Sequence, residues 1–215
     1  MPTQQSAGYE FLIVPGLHDS GPDHWQSLWQ RGHGAWRRVA QHDWAKPDLD
    51  VWAAQVDRAI GSSPGPVIVV AHSFGCLAAV RRAALDACGI LGALLVAPAN
   101  PDKFGVTAML PRESLPFPTI VAASENDSWM PLSGARMWAA RWGSRLVNVG
   151  AAGHINAESG HGRWPEGRVL LQGLAVAAVT RAVDPSASAL DGPATHEMRF
   201  HDCRSFDGLF AAIGT

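Results

Sequence analysis

Four runs in the chain are apolar at consecutive positions rather than at alternate ones: FLIVP (11–15), VIVVA (67–71), ALLVA (93–97) and TIVAA (119–123). Side chains on a strand point to opposite faces in turn, so a strand without alternation must be covered on both sides. That requirement selects a parallel sheet sandwiched between helices. Weaker strands are expected at WRRVAQ (36–41) and RLVNVG (145–150), giving a mostly parallel sheet of about six strands.

Helical patterns fill the intervals. DHWQSLWQR begins at Asp23, read as its N-cap. DLDVWAAQVDRAI follows Pro47 and ends at Gly61, and GCLAAVRRAALDAC ends at Gly89. PLSGARMWAARW opens with Pro131 and stops at Gly143, and PEGRVLLQGLAVAAVTRAV opens with Pro165. Proline at the start and glycine past the end are the expected helix punctuation. The alternation of strand and helix predicts one doubly wound α/β domain over residues 1–183. PANPDKFGVTAMLPRESLPFP (98–118), with five prolines, reads as an irregular excursion over one end of the sheet, too short for a large cap domain. Residues 184–215 read as a linker and a tail, frayed or docked.

The totals narrow the function classes. Net charge is −2 without basic clusters, which speaks against nucleic-acid or anionic-membrane partners. No apolar run reaches the roughly 18–20 residues of a membrane span, and the N-terminus lacks the pattern of a secretory signal. Cys76, Cys88 and Cys203 make neither a disulfide framework nor a zinc pattern, so a cytoplasmic location is expected. His18, His24, His33 and His42 lack ligand spacing, and no metal or organic cofactor is expected.

The informative junction is VVAHSFGCLAAV (69–80), where a buried strand runs into a buried helix at a serine. A very tight strand-to-helix turn holds its central side chain rigid yet exposed, which is the physical content of the G-x-S-x-G nucleophile elbow. Here it reads Ala71-His72-Ser73-Phe74-Gly75, with one extra methyl at Ala71. The competing reading is a serine that merely caps the helix. A serine hydroxyl needs a base, and the base needs an acid to orient it. The order Ser…Asp…His is met by Ser73, Asp127 after TIVAA, and His154 after RLVNVG. Glu125 is the alternative acid and His161 the alternative base. His72 is read as structural, because adjacent side chains on a sharp turn point apart. The backbone N–H groups of Phe74 and of Leu17, in the loop VPGLHDSG, are the expected oxyanion donors. Trp25, Trp129 and Trp164 lie beside these blocks and are candidate pocket walls, with core packing as the alternative.

FLIVPGLHDSGPDHWQSLW, VVAHSFGCLAAV, SENDSWMP and GAAGHINAESGHGRWPEG together resemble four blocks of the retinoblastoma-binding protein 9 / YdeN-like family of serine hydrolases, over about residues 10–182. GPDHWQ and the GHINAESG…WPEG block point to its bacterial branch. The resemblance implies a compact α/β-hydrolase fold with a Ser73–Asp127–His154 triad and carboxylesterase-like or peptidase-like activity on a small-molecule acyl substrate. An LxCxE sequence is absent, so the binding partner behind the family's name is not carried over. Two rival classes remain at this stage: a non-catalytic interaction protein on the same fold, and a cofactor-free peroxidase.

Overall fold

The computed structural model describes residues 8–32 and 35–184. The tail expected over 184–215, with His196, His201 and Cys203, lies outside the described residues except for Asp184.

Six strands form one sheet: β1 (Glu10–Val14), β2 (Trp36–Arg38), β3 (Val67–His72), β4 (Ile90–Val96), β5 (Thr119–Ala123) and β6 (Arg145–Asn148). Their order is β2-β1-β3-β4-β5-β6, and every neighbouring pair is parallel. The non-alternating runs lie in the middle of the sheet, and β3, β4 and β5 are buried along their whole length. The edges are β2 (WRR) and β6 (RLVN), short and charged, as suits strands that must not recruit another chain.

Five helices cover the sheet: α1 (Trp25–Gln30), α2 (Leu49–Gly61), α3 (Phe74–Leu85), α4 (Leu132–Arg141) and α5 (Pro165–Val183). Successive residues of β3 divide between two cores. Val67, Val69 and Ala71 pack with α2, α3 and α4, while Ile68 and Val70 pack with α1 and α5. This two-sided burial is what the consecutive apolar residues require. Hydrophobic burial on both faces contributes roughly 25 cal/mol per Å² removed from water, and it fixes the strand ends that carry the site.

Two local expectations need correction. The N-cap of α1 is His24, not Asp23: the His24 Nδ1 accepts the Gln26 N–H at 3.2 Å. Helix α3 stops at Leu85 rather than running to Gly89, which takes φ +82° in the turn into β4. The 98–118 stretch holds two 3₁₀ turns, Pro101–Phe104 and Thr107–Met109, and no further domain. Among the described residues no helix is long and apolar enough to cross a membrane.

Candidate active site

The C-terminal ends of β3, β5 and β6 open onto one edge of the sheet, where open parallel sheets bind ligands. Ser73 follows β3 directly and has φ 53° and ψ −125°, a strained backbone for any residue but glycine. It precedes α3, yet its side chain makes no capping hydrogen bond. The capping explanation of this serine is thereby excluded.

The turn is possible because of what is missing around it. A Cβ on Gly75 would stand 2.3 Å from the Pro15 carbonyl oxygen and 2.4 Å from that of Val14. A Cβ on Gly16 would stand 2.8 Å from the Ser73 Cβ. The loop after β1 therefore lies directly against the serine. The methyl of Ala71 is accommodated in the apolar core, fully buried.

The Ser73 Oγ lies 2.9 Å from the His154 Nε2. On the other side of the ring, the His154 Nδ1 lies 2.9 Å from the Asp127 Oδ2 and 3.0 Å from its Oδ1. A carboxylate accepts only, so Nδ1 carries the proton and Nε2 is left to accept the serine O–H. The Asp127 side chain is 2% exposed and that of His154 12%. Asp127 also accepts the Trp129 N–H at 2.8 Å, which fixes the rotation of its carboxyl group. The alternatives stand elsewhere. Glu125 is exposed and accepts a bond from Asn148 Nδ2, and His161 donates from Nδ1 to the Ser159 carbonyl.

Phe74 is the first residue of α3, where a backbone N–H has no partner inside the helix. In the facing loop, His18 donates to the Trp44 carbonyl and Asp19 to that of Gly16. The N–H of Leu17, between Gly16 and His18, has no acceptor among the described residues.

The three tryptophans separate. Trp129 is 42% exposed, with its ring centre 5.9 Å from that of His154 and the Lys103 ammonium 5.2 Å above it. Trp25 and Trp164 are core residues at 0% and 5% exposure, so neither is a wall that a substrate can touch. They pack on each other at 5.2 Å, and the Trp25 indole N–H donates to the Ile155 carbonyl. On a six-residue helix, positions 25 and 29 share the face turned to the sheet, which is why both are buried. Among the described residues no three His, Cys, Asp or Glu side chains are grouped to hold a metal ion.

Behind the serine lies a pair of histidines that the sequence did not connect to it. Burial drives His72 well below the ordinary histidine value, so its ring is neutral. A carbonyl only accepts, so the His72 Nε2–H donates to the His154 carbonyl oxygen at 2.9 Å. His24 packs edge-on against His72 at 4.8 Å. Its pKa is lowered to about 4, first by burial and then by the fields of Arg38 and His154.

The model of the family described as serine hydrolase matches residues 11–173. The chain belongs to the serine hydrolase family. This hydrolase is 42% identical to a candidate YdeN-like hydrolase from Pectobacterium atrosepticum, over 80% of its own length and 91% of that chain, with a TM-score of 0.75. The ydeN gene product of B. subtilis is 20% identical over 77% and 98% of the two chains, with a TM-score of 0.65. Est1E of Butyrivibrio proteoclasticus, whose structure holds ferulic acid, shares the fold at 10% identity and a TM-score of 0.60, over 80% and 90%. No curated protein matches the chain. The expected YdeN-like relationship and compact α/β-hydrolase fold therefore both stand, with the mostly parallel sheet proving parallel throughout.

Proposed function

We propose that this serine hydrolase is carboxylesterase-like and cleaves small acyl esters through an acyl-enzyme on Ser73, with His154 as base and Asp127 as its orienting acid. The continuous path from the Ser73 Oγ through the His154 ring to the Asp127 carboxylate, each step at 2.9 Å, carries this reading. As Oγ attacks the ester carbonyl, its proton passes to His154 Nε2. Asp127 holds Nδ1–H and stabilises the imidazolium. The amides of Leu17 and Phe74 receive the developing oxyanion; losing one such donor typically costs about 10²–10³ in rate. The tetrahedral intermediate collapses by breaking the bond to the alcohol oxygen, which takes the proton from His154. Water, deprotonated by the same nitrogen, then releases the carboxylic acid and restores Ser73.

Small acyl groups suit a site bounded on one side by two short 3₁₀ turns rather than a cap. The test pairs a fluorophosphonate probe with p-nitrophenyl esters of two, four and eight carbons and the matching anilides. Covalent labelling that disappears in Ser73→Ala, with turnover falling as the acyl chain lengthens, supports the proposal. Turnover of anilides at the rate of esters would replace it by an amidase of the same mechanism. A folded protein that neither labels nor turns over would be an interaction protein on a hydrolase fold.

A further inference from the structure

His154 sits in a loop of turns and bends without regular secondary structure, residues 151–160. A base so placed would ordinarily be the least constrained member of its site. Yet the peptide groups around it are held one after another by side chains from other segments. The Ala152 N–H donates to the Ser124 Oγ at 2.9 Å. The Gly153 N–H donates to the Asn126 Oδ1 at 2.7 Å. The His154 carbonyl accepts from His72 Nε2 at 2.9 Å, and the Ile155 carbonyl from Trp25 Nε1 at 2.9 Å. Ser124 and Asn126 are themselves joined, the Ser124 Oγ–H donating to the Asn126 Oδ1 at 2.8 Å.

We infer that Ser124, Asn126 and His72 form a positioning clamp for His154, tying the base loop to the acid loop on one side and to the nucleophile strand on the other. The inference rests on the proposed role of His154 as base. Each member is a near neighbour in sequence of a residue it serves: His72 precedes Ser73, and Asn126 precedes Asp127. The strands thus carry the register of the nucleophile and acid over to the imidazole. Main-chain bonds between the two loops run from Val149 N to Ala123 O and from Glu125 N to Gly150 O, and end there. Within the base loop the Ala152 N–H also reaches the Gly150 carbonyl at 3.0 Å and the Ile155 N–H that of Ala152 at 3.2 Å, but these turns fasten the loop only to itself. Beyond Gly150 the zipper between the two loops is made by side-chain oxygens. Gly153, at φ +57°, turns the chain so that its N–H faces Asn126 while the next side chain faces Ser73. A displacement of about 1 Å in a reacting group costs on the order of 10² in rate, so holding the ring matters as much as having it.

Asn126 is an exposed residue, so its oxygen can be removed without opening the core. Asn126→Leu keeps the approximate shape and deletes the acceptor, whereas Asn126→Asp keeps an acceptor at the same place. Two readouts are taken on each. One is hydrogen exchange in the peptide that contains Ala152 and Gly153, which needs no turnover. The other is kcat and KM on the ester that the wild type uses best. For Asn126→Leu we expect exchange at those amides about tenfold faster, with kcat lowered roughly 10–100-fold and KM within about twofold, at an unchanged melting temperature. Asn126→Asp should restore slow exchange and most of kcat. Because His72 is buried and its loss endangers folding, His72→Gln, which retains a donor at the Nε2 position, is compared with His72→Leu in the same two assays.

Exchange and kcat in Asn126→Leu equal to wild type would overturn the clamp. So would an Asn126→Asp protein as impaired as Asn126→Leu in both readouts. If the wild type turns over no ester, the esterase proposal fails, while the exchange rates still decide whether the clamp exists.

Discussion

Replacing His24 by asparagine tests how strongly the buried histidine pair couples folding to pH. His24 is 6% exposed, caps α1 through Nδ1 and lies 4.8 Å from His72. Its pKa falls from 6.5 to about 4 on folding. Between those two values the unfolded chain binds a proton that the folded chain refuses, so stability must fall as pH falls through that window. One pH unit of this linkage is worth about 1.4 kcal/mol, so the full window amounts to roughly 3 kcal/mol, and the part between pH 7.5 and pH 5 to about 2 kcal/mol. Protonation would also occupy the nitrogen that accepts the Gln26 N–H. Asparagine is among the best N-caps, accepts the same bond and does not titrate. Urea unfolding of both proteins at pH 7.5 and pH 5 isolates the term, because the carboxylates and His72 are common to both. The wild type should lose about 2 kcal/mol more than His24→Asn, a sizeable share of the roughly 5–15 kcal/mol that holds a typical domain together. Parallel losses in the two proteins would refute the linkage and mean that water reaches the His24 ring in the native state.

Other outcomes follow from the same geometry. Gly75→Ala places a methyl 2.3 Å from a main-chain oxygen that cannot swing aside, and urea unfolding should register a loss of about 3 kcal/mol or more. Ser73→Gly should be more stable than Ser73→Ala by about 1 kcal/mol, since only glycine relaxes at φ 53°, and both should be blind to the phosphonate probe. Asp127→Asn should lower kcat by roughly 10³–10⁴ with little change in KM, because the amide can hold the imidazole in the wrong tautomer; steady-state kinetics on the best ester reads it directly.

The sheet was legible because consecutive branched residues leave few alternatives, and the elbow because a serine at a strand-to-helix junction is either a cap or a raised side chain, and candidate partners follow it in the order acid, then base. Asp127 and His154 stood out as candidates because each lies in the loop after a strand, β5 and β6, and the structure brings both to Ser73. What escaped was the support around them. Ser124 and Asn126 look like ordinary turn residues, and their significance depends on two amides some 28 residues away, which no local period encodes. The SEND spacing was visible, but only its aspartate had a known task. Trp25 and Trp164 misled for a related reason: proximity in sequence to a reactive block does not say which face of the short helix α1 meets the sheet, nor that Trp164, just ahead of α5, packs on Trp25. The cap at His24 in place of Asp23 is a one-residue shift, decided by a ring nitrogen that accepts as a carboxylate would.

The stitches from α1 reach far along the chain. Trp25 meets the carbonyl of Ile155 across 130 positions, and Trp29 that of Arg163 across 134. A nascent polypeptide emerging from the ribosome would have its elbow early and its imidazole late; Gln26 can already meet the Val70 carbonyl, but the two indoles would have no carbonyl to meet until then. Reactivity toward a phosphonate is therefore a natural reporter of completed translation and docking: it should switch on only after the segment that meets these two indoles has left the exit tunnel.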